Sequence, residues 1–221
     1  MNNSALKWKA FWEGQTSPLH THNDENYYSS YGKELILLYD DFKYDSVLEI
    51  GCGNGALYPY LGFSDKSYVG VDLSQSMLEN FREKYPNKNL DLIHIGAGEI
   101  YKDEKKYDLI FQNGVIQHFD NKMVEEFMAA SYQMLAPGGR IVIGSIPWKL
   151  CKKGYYFGEF RPNKSSFIGK LYGYIMSYKS IMGNWYSFAD FREFANKYSL
   201  KVEFFGSLLY PYRFHVVFTK E

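Results

Sequence analysis

Short apolar runs alternate with amphipathic stretches through the middle of the chain. Runs of strand length, rich in Val, Ile, Leu and Tyr, occur at residues 47–50, 68–71, 90–95, 107–111 and 140–146. Two of the intervening stretches have helical spacing, 74–85 with Ser74 in the capping position and 123–135. Strands that alternate with helices predict right-handed βαβ crossovers, and therefore an open α/β sheet with mostly parallel strands.

The end of the chain adds one more helix and two more strands. Residues 185–198 have helical spacing with Ser187 as the cap, and strand-like runs follow at 200–205 and 214–219. These runs predict an antiparallel pair at the edge of the sheet. The whole pattern predicts a Rossmann-like, doubly wound sheet of seven strands.

Composition narrows the class of protein. The 221 residues include 25 basic and 25 acidic side chains, and a nucleic-acid binder needs a surplus of Lys and Arg. Two cysteines exclude a disulfide scaffold. No run of about 18 apolar residues predicts a membrane span, and the first residues lack the apolar stretch of a signal peptide. We expect a cytoplasmic protein that does not bind nucleic acid.

A glycine-rich loop, Gly51-Cys-Gly53-Asn-Gly55, follows the first predicted strand. Ligands of open α/β sheets bind at the carboxyl ends of the strands, where glycines allow close approach of the backbone. Asp72 ends the second strand, where a carboxylate can accept hydrogen bonds from both hydroxyls of a ribose. The spacing Gly51-x-Gly53-x-x-Ala56 fits a dinucleotide as well as another adenosine cofactor.

Three features favour an adenosine cofactor with a cationic group. Glu49 precedes the loop, where a negative charge suits a cation better than a pyrophosphate. Gly55 is a third glycine within five residues, and the turn Ala-Pro-Gly-Gly-Arg at 136–140 precedes an apolar strand. Together with the order of the other motifs, these features resemble the class I S-adenosylmethionine-dependent methyltransferase family. The motifs that carry the resemblance are residues 47–57, 68–78, 107–119 and 135–140.

The resemblance implies S-adenosylmethionine as the cofactor and S-adenosylhomocysteine as the product. The cofactor-binding residues that it implies are Glu49, Gly51, Gly53, Gly55, Asp72, Leu73, Met77, Ala97, Gly98, Gln112 and Asn113. Ala97 departs from the family, which often has an aspartate there to bind the adenine amino group. Backbone groups of Ala97 or Gly98, or the side chain of Glu99, are the alternatives.

The resemblance also divides the chain into four segments. They are an N-terminal helical cap (1–44), the cofactor-binding core (45–147), a lid inserted over the active site (148–184) and the C-terminal helix and strand pair (185–221). Within the lid, apolar side chains at helical spacing over 167–176 predict an amphipathic helix.

His118 is the candidate general base, because it follows the fourth strand, where acceptor and methyl group should meet. A packing or hydrogen-bonding role for this histidine is the alternative. Tyr28 is the aromatic side chain of the N-terminal cap that we expect to line the acceptor site. His20, His22 and Asp24 lie close together, but without further ligands they predict a polar loop rather than a metal site.

The lid holds seven basic residues and a single acidic one, Glu159. This charge predicts a site for an anionic or sugar-like acceptor, with Lys152, Lys153, Arg161 and Tyr212 as substrate residues. A solvated basic face, or contact with an anionic membrane or a lipid-linked glycan, are the alternatives. We expect methyl transfer to a hydroxyl of a small acceptor; N-methylation, a binding module without catalysis, and a nicotinamide oxidoreductase stay open.

Overall fold

The computed structural model describes residues 11, 25–86, 88, 90–96, 98–160 and 162–221. Seven strands form one sheet in the order β3-β2-β1-β4-β5-β7-β6. The strands are β1 (Ser46–Ile50), β2 (Ser67–Asp72), β3 (Asp91–His94), β4 (Tyr107–Asn113), β5 (Leu135–Pro147), β6 (Lys201–Gly206) and β7 (Arg213–Thr219). The strand order reverses between β1 and β4, and this switch point is where ligands bind in such sheets.

The predicted Rossmann-like sheet is confirmed. Strands β1 to β5 are mutually parallel, and β7 is antiparallel to both β5 and β6. The antiparallel strand therefore lies one position inside the edge, and β6 is outermost. Hydrogen bonds on both sides of β7 explain why its run of side chains from Arg213 to Phe218 is buried, whereas β6 is only partly covered.

The described residues form six helices. They are α1 (Glu25–Ile36), α2 (Gln75–Lys84), α3 (Asn121–Met134), α4 (Lys152–Phe157), α5 (Phe167–Ile175) and α6 (Phe188–Tyr198). Four of them belong to the layers around the sheet, and two, α4 and α5, belong to the lid. The predicted caps are present. The Ser74 hydroxyl accepts a hydrogen bond from the N–H of Met77, and Ser187 forms a capping box with Asp190.

Alternate side chains of the central strands build two apolar layers. On one face Leu48 and Ile110 pack with Phe127 of α3. On the other face Leu109 packs with Leu35 of α1. Because both faces are covered, the central strands are buried throughout and the carboxyl edge of the sheet is left as the place where a ligand can approach.

Strand β5 begins at Leu135, five residues before the predicted start, and it contains two irregularities. Gly138 has a φ of +73°, and the register with β4 shifts in this region. Ser145 has a φ of +59°, and the register with β7 shifts between Ile143 and Ile146. The second irregularity is a bulge, which re-aims Ser145 relative to the regular alternation of the strand.

The lid has a small apolar cluster of its own. Tyr155, Tyr156 and Met182 are buried there, and Trp185 and Tyr212 pack against them. The expected helix within the lid is α5. In the described part of the chain, no helix is long and apolar enough to cross a membrane.

Candidate functional site

A cleft of about 230 Å³ opens at the carboxyl ends of β1, β2 and β4. Its walls come from the loops that follow these strands and from the start of α1. Ten of the predicted site residues line the cleft: Tyr28, Glu49, Gly51, Gly53, Asp72, Leu73, Met77, Gly98, Asn113 and His118. The cleft therefore joins the glycine loop, both carboxylates and the histidine in one space.

The three loop glycines have positive φ angles and different surroundings. A Cβ atom on Gly51 would lie 2.3 Å from a methyl carbon of Val115, and a Cβ atom on Gly55 would lie 2.4 Å from the ring of Phe81. A Cβ atom on Gly53 would meet nothing within 4 Å. Gly53 thus leaves open space beside the backbone in the cleft, whereas Gly55 does not line the cleft and permits packing against α2.

Asp72 holds the glycine loop in place. One carboxylate oxygen accepts a hydrogen bond from the N–H of Gly53 at 2.9 Å, and the other accepts one from the N–H of Ser74 at 2.8 Å. Burial raises the pKa of Asp72 above its ordinary value, although these N–H donors act in the opposite direction. Each carboxylate oxygen has a further lone pair, so the group can still accept hydrogen bonds from a ligand.

Glu49 is a buried carboxyl group at the floor of the cleft. Its Oε2 accepts a hydrogen bond of 2.7 Å from the hydroxyl of Tyr68. Burial raises the pKa of Glu49 to about 7, and the hydrogen bond from Tyr68 only partly offsets this effect. Because a nearby positive charge favours the ionised form, a cationic ligand in the cleft would lower this pKa.

The far wall of the cleft is formed by the loop after β3. Ile95, Gly96, Gly98 and Glu99 line it, opposite Leu73 and Met77. The carboxylate of Glu99 accepts a hydrogen bond of 2.8 Å from the N–H of Gly96, which closes the loop on itself. Ala97 lies outside the described residues. Apolar side chains on one wall and backbone groups with a carboxylate on the other suit a flat, partly polar ring such as a purine.

Asn113 and Gln112 sit at the end of β4 but differ in orientation. The Asn113 side chain lines the cleft, and its oxygen accepts a hydrogen bond of 2.9 Å from the hydroxyl of Tyr31. Gln112 points away from the cleft and is fully buried, with no hydrogen-bond partner for its amide among the described residues. Alternation along the strand explains the difference, because consecutive side chains point to opposite faces.

His118 ends a short 3₁₀ turn, Ile116–His118, directly after β4. Its ring lines the cleft, and its Nε2 lies 3.4 Å from the side-chain nitrogen of Gln117. Tyr28 lines the same cleft, with its ring edge-on to Tyr27 at a centroid distance of 5.3 Å. The Tyr27 hydroxyl lies 2.7 Å from the hydroxyl of Tyr210, so α1 is joined to the loop between β6 and β7 at the mouth.

A buried polar cluster centred on Arg213 lies behind the histidine. The Arg213 guanidinium is buried, and its Nη1 donates to Gln117 Oε1 at 2.8 Å and to Ser145 Oγ at 3.2 Å. It also donates to the carbonyl oxygen of Ser145, and its Nη2 contacts the sulfur of Met182. Among the described residues, no carboxylate forms an ion pair with Arg213.

Glu34 and His215 continue this cluster on the other side of Ser145. His215 Nδ1 accepts a hydrogen bond of 3.1 Å from the N–H of Ser145, and its Nε2 lies 2.8 Å from Glu34 Oε1. Glu34 also accepts from the N–H groups of Leu208 and Leu209. Burial raises the pKa of Glu34, but hydrogen bonds from His215 and Ser207 outweigh it and hold the pKa below the ordinary value. The β6–β7 loop is thereby fastened to α1.

The lid residues predicted for substrate binding do not line the cleft. Lys152 is half-buried and lies 4.7 Å above the centre of the Tyr174 ring, and burial together with Lys149 lowers its pKa. Lys153 is exposed. Tyr212 packs edge-on against Tyr155 at 4.8 Å. These side chains belong to the apolar lid cluster and its surface, since aromatic packing and an exposed helix position hold them there.

Four further residues named from the sequence lie outside the described residues: Arg161, His20, His22 and Asp24. Within the described ranges, no group of three or more His, Cys, Asp or Glu side chains is arranged to hold a metal ion.

Residues 48–141 match the family model of a methyltransferase domain. Malonyl-[acyl-carrier protein] O-methyltransferase 1 of Ilyobacter polytropus is 33% identical over 113 residues, which are 50% of this chain and 41% of that protein. Ubiquinone biosynthesis O-methyltransferase of Pelagibacter ubique is 29% identical over 160 residues, covering 66% of this chain and 63% of that protein. The matches thus span from two fifths to under two thirds of these relatives.

The fold is shared with solved methyltransferase structures. Magnesium protoporphyrin IX methyltransferase from Synechocystis, solved with bound S-adenosylmethionine, has a TM-score of 0.67 at 11% identity and covers 100% of this chain and 99% of that one. The N-methyltransferase NodS from Bradyrhizobium japonicum has a TM-score of 0.65 at 14% identity and covers 99% of each chain. Sheet, cleft and matched domain together define an S-adenosylmethionine-dependent methyltransferase architecture. Residues 48–141 therefore match a methyltransferase domain, and the chain has the fold of class I S-adenosylmethionine-dependent methyltransferases.

Proposed function

We propose that this protein transfers a methyl group from S-adenosylmethionine to a hydroxyl of a small anionic or sugar-like acceptor. The observation that carries the proposal is the continuous cleft from Gly53 and Asp72 past Glu49 to His118. One end offers open backbone and a carboxylate, and the other offers a histidine beside the cluster around Arg213. A cofactor and an acceptor can therefore meet in one space.

The described residues fit S-adenosylmethionine group by group. Asp72 accepts the ribose hydroxyls with its remaining lone pairs, and Gly53 leaves room for the chain that bears the sulfur. Glu49 faces the cationic part, where its ionised form is stabilised by the ligand's positive charge. The backbone near Gly98 and the carboxylate of Glu99 lie on the wall proposed for adenine.

The cofactor supplies an activated methyl group on a positively charged sulfur. The work left to the chain is to orient the acceptor in line with that group and to remove the proton of its hydroxyl. We assign the proton acceptor to His118, whose ring lines the cleft on a short turn that Asn184 fastens through hydrogen bonds to Gln117 and Phe119.

The acceptor end of the cleft is rich in groups that bind hydroxyls and anions. Tyr31, Asn113, Gln117 and Ser145 line it with hydroxyl and amide groups, and Arg213 adds a positive charge directly behind Gln117 and Ser145. Its direct hydrogen-bond partners Gln117 and Ser145 are neutral, so no directly paired carboxylate cancels this charge and it can attract an anion. These contacts support an acceptor with several hydroxyls or a negative charge.

Calorimetric titration with S-adenosylmethionine, S-adenosylhomocysteine and NAD tests the cofactor. We expect binding of the two sulfur compounds and none of NAD. Asp72→Asn should weaken binding by about ten- to a hundredfold, because it removes charge-assisted hydrogen bonds. Asp65→Asn, at an exposed carboxylate beside the opposite edge of the sheet, is the matched control and should change nothing. Equal affinity in both variants would remove the ribose assignment.

The base is tested by formation of S-adenosylhomocysteine in the presence of hydroxylated carboxylates, phosphorylated sugars and nucleotide-linked sugars. His118→Asn should lower turnover by about a hundredfold or more and leave cofactor affinity unchanged. It should also abolish the decline of the rate at acidic pH that a protonated histidine causes. A preference for amine acceptors, with little effect of His118→Asn, would indicate N-methylation instead.

A further inference from the structure

Helix α5 presents an apolar face to solvent. Ile168, Leu171, Tyr172 and Ile175 fall within an arc of about 100° of this nine-residue helix. Ile168 is 78% exposed and Ile175 is 58% exposed, and no residue of the helix is buried. A contiguous patch of large exposed apolar side chains marks an interaction surface.

The opposite face of α5 already has a partner within the chain. Gly173 lies against the ring of Tyr156, and the Tyr174 ring packs near Phe157 and under the ammonium group of Lys152. The helix is therefore held in a fixed orientation by α4. Its apolar face points outward as a consequence of this packing.

The segment that carries α5 is rich in exposed positive charge. Lys149, Lys153, Lys164 and Lys179 are exposed in the lid, and Glu159 is its single acidic residue. The whole chain has no net charge, so this segment concentrates a surplus that the remainder offsets. Exposed aliphatic and aromatic side chains on a lysine-rich segment match the interface of an anionic lipid bilayer.

The same segment also reaches the mouth of the cleft. Ile181 is 42% exposed and also lines the cleft, close to His118. Its carbonyl oxygen accepts a hydrogen bond from Gln117, and the N–H of Asn184 donates to the carbonyl of Gln117. The segment that carries α5 thus also contributes a side chain to the acceptor end of the cleft.

We propose that the apolar face of α5 and the exposed lysines of the lid dock the protein on an anionic membrane surface, with the mouth of the cleft at the bilayer. A second copy of the chain fits less well, because a twofold contact on this face would bring like charges together. Nucleic acid fits less well, because its backbone offers nothing to Ile168 or Ile175. An acceptor presented by the bilayer rests on the proposed methyl transfer, whereas the docking itself does not.

Cosedimentation with vesicles tests the docking. We expect the protein to bind vesicles of phosphatidylcholine with 30% phosphatidylglycerol, and to bind pure phosphatidylcholine at least about tenfold more weakly. Ile168→Ser/Ile175→Ser should lower the affinity for anionic vesicles by about tenfold or more, because two apolar side chains that would insert into the bilayer are lost. Lys164→Gln/Lys179→Gln should lower it by about fivefold per lysine, and 500 mM NaCl should have a similar effect.

Each variant has a matched control. Leu37 is 61% exposed and lies just past the end of α1, so Leu37→Ser tests the loss of an exposed side chain elsewhere. Lys88→Gln/Lys105→Gln removes the same charge beside the amino ends of β2 and β3, away from the cleft. Both controls should bind vesicles as the unchanged protein does. Cofactor titration of every variant should give one affinity, which separates failure of docking from failure of the proposed function.

The outcomes decide between docking and its rivals. Equal binding by the α5 variants and their controls, or no binding to anionic vesicles, would overturn the proposal. Sedimentation velocity without lipid gives the second criterion: a dimer of the unchanged protein that Ile168→Ser/Ile175→Ser dissociates would assign the face to self-association and likewise overturn it. Vesicle binding by a monomer that weakens in the isoleucine and lysine variants but not in their controls would support the membrane surface.

Discussion

At the scale of single residues, Glu49 links the cleft to pH. Its pKa in the folded protein is about 7, against 4.5 for an ordinary glutamate. Between these values the folded protein binds more protons than the unfolded chain, so its stability without ligand falls as the pH rises through this window. The ionised form, which costs stability, is the form that a cationic ligand needs.

Glu49→Gln should therefore raise the free energy of unfolding of the ligand-free protein, and the gain over the unchanged protein should be larger at pH 8 than at pH 4.5. The expected gain is about 3 kcal/mol, because the amide keeps the hydrogen bond from Tyr68 but cannot ionise. Urea unfolding at both pH values measures it. Glu83→Gln, at an exposed position, should show no such gain, and the same pH dependence in both variants would contradict the role of burial. The Gln variant should also bind S-adenosylmethionine more weakly.

Two glycines of one loop should respond differently to alanine. Gly53→Ala should cost about 1 kcal/mol of folding free energy, because of its positive φ, and should weaken cofactor binding by filling the cleft. Gly55→Ala should cost more stability, because its Cβ atom would lie 2.4 Å from Phe81, and should leave the affinity of the folded fraction nearly unchanged. Thermal unfolding and calorimetric titration separate the two effects. Equal losses of affinity would contradict this division of the loop.

At the scale of elements, local signals along the chain predicted the positions of α2, α3, α5 and α6 and of most strands, but not the short helix α4. Ser74 and Ser187 occupy the caps that their sequence context predicts, since a hydroxyl before an amphipathic run satisfies free N–H groups whatever the surroundings. The predicted start of β5 at residue 140 is five residues too late. Gly138 and Gly139 indicate a turn in sequence, but in the structure they lie within an irregular part of the strand that pairs with β4. Long-range pairing decided that boundary.

The capping box of α6 gives a prediction that concerns stability alone. Asp190 accepts a hydrogen bond of 2.7 Å from the N–H of Ser187, and one of 2.9 Å from its hydroxyl. Asp190→Ala should lower the free energy of unfolding by about 1 kcal/mol. Because no residue of α6 lines the cleft, cofactor affinity should not change. A substantial loss of affinity in this variant would show that α6 influences the site.

At the scale of the whole molecule, cofactor binding should stabilise the fold as a unit. A ligand at a hundred times its dissociation constant adds about 2.7 kcal/mol, and for a chain of this size that corresponds to a rise in Tm of about 5–10 °C. Differential scanning calorimetry with saturating S-adenosylhomocysteine measures the rise. NAD at the same concentration should leave Tm unchanged, and a rise with NAD would contradict the cofactor assignment.

The tertiary structure places the predicted substrate residues of the lid away from the cleft. The sequence places seven basic side chains in the lid, and this charge predicts that the lid binds an anionic acceptor. The structure instead holds Lys152 against Tyr174 and leaves Lys153 on the surface, while Arg213 of β7 lies behind Gln117, which lines the cleft. Charge counts along a segment do not reveal direction, because the fold decides which face a side chain occupies.

The sequence by itself determined the order of strands and helices, the helix caps, the glycine loop and the two carboxylates of the cleft. These features are readable because each depends on neighbours in the chain: apolar periodicity, capping, and the backbone freedom of Gly51 and Gly53. Only the tertiary structure decided which residues meet. Ser145, Arg213 and His215 form one cluster because a bulge in β5 faces an antiparallel β7, and their contacts with Gln117 and Glu34 span 96 and 181 residues of chain. Pairings over such distances depend on sheet register and burial, which no local pattern encodes.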